Sequence, residues 1–232
     1  MSLPTADKGT ISIAFVLEAL AGVRARGLDA NALLTRAGIS PELLNAPQAR
    51  VSSAHYGRLW HLVAEATDDE FFGMDSHPMK AGSFTLLCHS VIHCDTLERA
   101  LRRALRFFRL ILDDMAGELV RDGDTARLVV VDRCAAPRRA FAYGTFLIML
   151  HGLACWLIGR RIPLAQAVFR CPEPGFSPEW RVLFSPDLVF DAAQTEIRFA
   201  ADYLDMANVQ NERTMKVFLR SAPANFLVKY RN

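Results

Sequence analysis

Two histidines four residues apart in "FTLLCHSVIHCD" have the type and spacing for chemistry. On a helix, His89 and His93 share a face and can bring two imidazoles to one metal ion. Cys88 and Cys94 adjoin them in sequence but point about a hundred degrees away on a helix of 3.6 residues per turn. A zinc-protease pattern needs glutamate after the first histidine, where Ser90 stands, and no third ligand can be assigned. No metal is therefore assigned. The pair reads as polar groups facing a cavity or solvent.

His151 is the second candidate, alone in the most apolar stretch of the chain. A solitary core histidine usually donates to a backbone carbonyl. The alternative is a polar handle in an otherwise apolar ligand cavity. Tyr143, eight residues earlier, falls on nearly the same helical face and could serve with it. Tyr56, Trp60, Phe84 and Trp156 are core residues by default, and the first three also suit a cavity wall. Five arginines (Arg99, Arg102, Arg103, Arg106 and Arg109) form one face of a single helix. Such a face can bind phosphates, but Glu98 pairs with Arg102 at i, i+4, which favours an ordinary solvated surface. The chain carries no G-x-S-x-G elbow, phosphate loop, dinucleotide glycine pattern or framed carboxylate pair. Nothing in it recommends catalysis.

The elements that must position these groups follow from periodicity. Ile13, Val16, Leu17, Leu20 and Val23 make an amphipathic helix ended by Gly27. A short helix capped by Asp29 closes at Gly38, and "SPELL" makes a single turn. Tyr56, Leu59, Trp60 and Val63 predict a helix from Ser52 or Ser53. A helix from Ser83 to about His93 precedes one opened by "DTLE", with Asp95 as cap and Glu98 in capping-box spacing. After residue 109 the period changes to that of a hairpin turning at Asp122-Gly123-Asp124. Residues 140–159 hold no formal charge and are long enough to cross a bilayer. Arginine pairs flank them on both sides, so the flanks set no orientation, and the stretch is read as a buried core helix. "AQAVFRC" and "DLVFDAAQTEIRFA" predict three further short strands, and residues 202–219 a last helix. Helices first, then strands mixed with helices, is the order of an α+β fold.

Composition fits one large or two small folded units. The 232 residues are 51% hydrophobic with a net charge of +2, too near neutral to announce a nucleic-acid or membrane partner. Five cysteines without a C-x-x-C pair, and no signal-peptide pattern at the start, fit reduced thiols in the cytoplasm.

The order of these segments resembles a known family. "GLDANALLTRAGISPELL", "ARVSSAHYGRLWHLVAEATDDEFFG", "AGSFTLLCHSVIHCDTLERALRRALRFFRLI" and "FSPEWRVLFSPDLVFDAAQTEIRFAADYLDM" resemble the effector-sensing, arabinose-binding-like N-terminal domain of AraC/XylS-type bacterial transcription regulators. The resemblance runs from about residue 11 to 225. It implies a helical layer packed on a small antiparallel sheet, similar in architecture to haem–nitric-oxide-binding domains. The Y-x-S-x-R haem motif of those domains has no match, so no cofactor is expected. The resemblance further implies a small-molecule effector, DNA contact only through a C-terminal helix-turn-helix domain outside this sequence, and possible homodimerisation. The family name does not make arabinose the ligand.

The expected organisation is a sensing domain over residues 1–219. The start of a linker helix is expected over 220–232, opened by Ser221-Ala222-Pro223 and carrying Phe226, Leu227 and Tyr230. The candidate ligand-binding residues are Tyr56, Trp60, Phe84, His89, His93, Tyr143 and His151. They are expected to line a pocket between the helical layer and the sheet, built from helices 53–66, 83–93 and 140–159. The competing expectations are a metal- or haem-dependent sensor or enzyme using His89 and His93, and a dimerisation module without a ligand.

Overall fold

The structure, a computed structural model, describes residues 9–224. Two three-residue strands, β1 (Thr10–Ser12) and β2 (Arg50–Ser52), pair antiparallel, and each runs straight into a helix. Ser12 ends the first and caps α1 (Ile13–Ala25), its side chain accepting from the Ala14 N–H at 3.3 Å. Ser52 ends the second and caps α3 (Ser53–Thr67), accepting from the His55 N–H at 3.1 Å. Periodicity gave no sign of these strands, because three residues cannot establish an alternation. Between them lie α2 (Ala30–Ala37), capped by Asp29 and closed by left-handed Gly38 as expected, and a 3-10 turn at Pro41–Asn45.

The helical hairpin forms as α4 (Ser83–Val91) and α5 (Leu97–Ile111). One capping residue differs from expectation. Thr96 caps α5 by accepting from the Arg99 N–H at 3.4 Å, while the Asp95 carboxylate binds the Arg99 guanidinium at 2.5 Å. A charge-assisted bond to a nearby guanidinium leaves the cap to the adjacent hydroxyl.

The sheet has strand order β3 (Met115–Asp122), β4 (Thr125–Asp132), β7 (Thr195–Ala200), β5 (Gln166–Val168), β6 (Leu188–Val189). Its pairings are antiparallel except β5 with β6. The β3–β4 register pairs Asp122 with Thr125, leaving Gly123 and Asp124 as a two-residue turn with Gly123 at φ 56°. Helix α5 lies on this sheet because β3 offers Gly117, where a Cβ would sit 2.6 Å from Leu105 and 3.2 Å from Phe146.

Helix α6 (Ala140–Leu157) runs through the centre. By length and composition it could cross a membrane, yet 83% of it is buried within the fold. Its apolar surface has a partner on each side: Phe141 against Phe15, Phe146 against Phe108, and Trp156 stacked on Phe218 at 4.3 Å. Gly144 lets the indole of Trp180, on α7 (Ser177–Leu183), lie against the helix.

The last helix is shorter than the predicted 202–219. Residues Ala201–Asp205 form a 3-10 turn, and α8 (Glu212–Ser221) starts only at the Asn211 capping box with Thr214. Between them Met206 and Asn208 bond to the start of α5 and to the loop before it, which holds the chain extended. Ser221 closes α8 rather than opening a helix. Phe226, Leu227 and Tyr230 lie outside the described residues.

Candidate functional site

A cavity of about 60 Å³ lies where α3, α4, α6 and α8 converge. Its wall comprises Trp60, His61 and Ala64 of α3, Glu70 of the loop that follows it, Phe84 and Thr85 of α4, Met149 of α6, Leu219 of α8, and Ala222 and Pro223 just beyond it. All three helices expected at a pocket contribute. No sheet strand does, so the cavity is interhelical rather than between helices and sheet.

The loop after α3 builds one wall around two acidic side chains. Asp69 is 1% exposed and accepts the N–H groups of Phe71 (2.8 Å), Gly73 (2.7 Å) and Met79 (3.1 Å). Burial pushes its carboxyl up in pKa, and those three donors and Arg26 pull it down. Glu70 reaches the next helix, with one carboxylate oxygen accepting from Gly82 N–H at 2.7 Å and the other from Phe84 N–H at 2.8 Å. Helix α4 has glycine at its cap and no side-chain cap of its own, so this carboxylate satisfies donors that otherwise lack partners. Burial likewise raises the Glu70 pKa, against the backbone donors and nearby His61. The Trp60 indole N–H donates to the Glu70 carbonyl at 3.0 Å, fixing ring and acid together.

The opposite wall is the end of the described chain. His61 Nε2 lies 2.6 Å from the carbonyl oxygen of Ala222, so that nitrogen carries the proton. One turn earlier on α3, Gly57 admits Ala224, where a Cβ would sit 2.9 Å from the Ala224 Cβ. Phe218 of α8 stacks on Trp156 and lies 6.4 Å from Phe84. The exit from α8 is thus held by the same helices that wall the cavity.

Among the candidate residues, Trp60 and Phe84 line this cavity. Tyr56 is fully buried one turn before Trp60, its hydroxyl 3.5 Å from the Phe15 carbonyl, and it does not reach the cavity wall. His89 is exposed on the outer side of α4. His93 falls beyond the helix end at Val91 and sits exposed, 3.7 Å from Glu212, so the two imidazoles do not share a helical face. No group of three or more His, Cys, Asp or Glu is arranged to hold a metal among the described residues.

Tyr143 and His151 do not act as a pair. The Tyr143 hydroxyl donates to Asp132 and accepts from the Arg138 N–H at 3.0 Å. Arg138 and Arg170 also bind the Asp132 carboxylate, at 3.2 and 3.3 Å. This is a closed ionic network that ties α6 to the sheet. Burial, then the bond to Asp132, pushes the Tyr143 pKa up to about 12. His151 instead bonds the Ile162 carbonyl at 2.9 Å, the ordinary partner of a core histidine. Burial lowers its pKa to about 4.

The wall residues that sequence reasoning missed are His61, Ala64, Glu70, Thr85, Met149, Leu219, Ala222 and Pro223. Glu70 stands in the acidic run "TDDE", whose composition reads as a solvated loop. Only the tertiary approach of α4 turns it inward.

The interhelical cavity, walled on one side by Leu219, Ala222 and Pro223, is the candidate binding site among the described residues. Residues 27–208 match the family described as the arabinose-binding domain of AraC transcription regulator, N-terminal, and the chain belongs to that family. It is similar to the ornithine utilization regulator of Pseudomonas aeruginosa, 22% identical over 197 residues, which cover 84% of this chain. The match spans 58% of that relative's length.

Proposed function

We propose that this chain is the effector-sensing part of an AraC-type transcription regulator, and that its effector is a small metabolite bound in the cavity between α3, α4, α6 and α8. One observation carries this: Leu219, Ala222 and Pro223 both line the cavity and lead out of the described fold. A ligand there has different contacts in two seatings of α8, which is the requirement for shifting an equilibrium between them. The shift passes along residues 220–232 as a linker to a DNA-binding domain beyond. In this view the protein is cytoplasmic and non-catalytic, touches DNA only through that further domain, and pairs with a second copy to match half-sites.

The test is thermal stabilisation by a metabolite library holding amino acids, amines, organic acids and sugars. Ornithine and arabinose belong in it because of the relative's and the family's names. A ligand at a hundredfold excess over its Kd stabilises by about 2.7 kcal/mol. Ala64→Leu, which fills the cavity from a 5% exposed wall position, is expected to abolish that shift while leaving the unliganded protein folded. A stabilising ligand indifferent to Ala64→Leu binds elsewhere and contradicts the assignment.

A further inference from the structure

The cavity wall has a charge signature. Among the described residues, Glu70 is its one carboxylate and no lysine or arginine lines it. The His61 Nε2–H is directed at the Ala222 carbonyl. Two aromatic rings, Trp60 and Phe84, and the Met149 thioether complete the recognition surface.

Resting on the sensing role proposed above, we propose that the cavity selects a cationic ligand, an alkylammonium head group seated on the Glu70 carboxylate and against the Trp60 and Phe84 rings. Each Glu70 oxygen accepts one backbone N–H and keeps a second lone pair. An ammonium group brings three donors and a positive charge, matching those free acceptors. Aromatic faces attract a cation by about 0.5–2 kcal/mol, more as water is excluded. A carboxylate or phosphate ligand would meet Glu70 with like charge and, among the described residues, find no guanidinium or ammonium on the wall to answer it. The volume of about 60 Å³ suits a head group of methylammonium size. The rest of such a ligand extends past His61 and Thr85, both exposed at the rim.

The position of Glu70 makes the ligand's effect specific. The same carboxylate holds the first turn of α4, and the cavity it faces is roofed by Ala222 and Pro223. A cation on Glu70 therefore acts on the α4 start and the α8 exit together.

The test compares n-propylammonium, n-propanol and propionate, three probes of one length and different charge, by calorimetry and indole fluorescence. Propylammonium is expected to bind at least tenfold more tightly than either of the others. Glu70→Gln is expected to weaken propylammonium at least tenfold and to leave propanol unchanged. Because Glu70 also caps α4, Phe84→Leu gives an independent check: it keeps apolar bulk, removes the ring, and is expected to weaken propylammonium about threefold with propanol again unchanged. Propanol or propionate binding as tightly as the ammonium overturns the cationic selectivity and leaves the sensing role standing. Propylammonium binding indifferent to both variants overturns it too. Failure of all three probes also overturns it, while the metabolite library against Ala64→Leu separately decides whether the cavity is a ligand site.

Discussion

At the scale of single residues, Tyr143 and His151 are structural groups that stand apart from the cavity wall. The Tyr143 hydroxyl closes the Asp132 network and sits outside the cavity wall. Tyr143→Phe leaves a buried acid short of one donor and is expected to cost about 1–2 kcal/mol in denaturant unfolding, with ligand-induced stabilisation intact. His151 is held neutral, its pKa lowered to about 4 from 6.5. The unfolded chain binds the extra proton first, so this group's stabilising contribution is complete above pH 6.5 and is lost as pH falls from there through 4. The loss is on the order of 3 kcal/mol. His151→Gln is expected to flatten that limb of the stability–pH curve, read as the difference between the two proteins. The site's aromatic wall was legible in the sequence, since Trp60 and Phe84 lie on the predicted helices. Glu70 and His61 were not, because a polar residue on an amphipathic helix or in an acidic loop reads as solvated until another element covers it.

At the scale of elements, two glycines mark close approaches with opposite expected outcomes. At Gly144 an added Cβ would lie 2.7 Å from the Trp180 ring, itself 1% exposed and stacked on Phe169 at 4.2 Å. With no room to yield, Gly144→Ala is expected to destabilise by about 1–3 kcal/mol in thermal or denaturant unfolding. At Gly57 the neighbour is Ala224, at the edge of the described chain. Gly57→Ala gains helix propensity of about 1 kcal/mol while displacing that segment. It is expected to keep or raise the Tm and to speed amide exchange near residue 224, detaching the exit without weakening the domain. The helices, hairpin and long apolar segment were legible because each has a clear period or turn signal. Strands β1 and β2 and the true start of α8 were not: the first are too short to show alternation, and the second is set by tertiary bonds from Met206 and Asn208 to α5 and its approach loop.

For the whole molecule, the α+β order of elements was readable from the change of period after residue 109, and the sheet then followed from its hairpin. The proposed sensing role rests on Leu219, Ala222 and Pro223 in the cavity wall, which no periodicity reports. Helix α6 supplies the rigid centre, fifteen of its residues being buried. Around it, α3 and α4 are fixed by Glu70 and by the Ser52 cap. Helix α8 buries Met215 and Phe218, with Phe218 stacked on Trp156 of α6 and near Phe84 of α4, and it is the element whose seating the proposed ligand would change. Hydrogen exchange of the protein with and without saturating n-propylammonium tests this account most directly. The account predicts changed protection confined to the start of α4 and to residues 212–224, and its loss in Ala64→Leu. Protection that appears on another surface, or binding that leaves residues 212–224 unchanged, would contradict it.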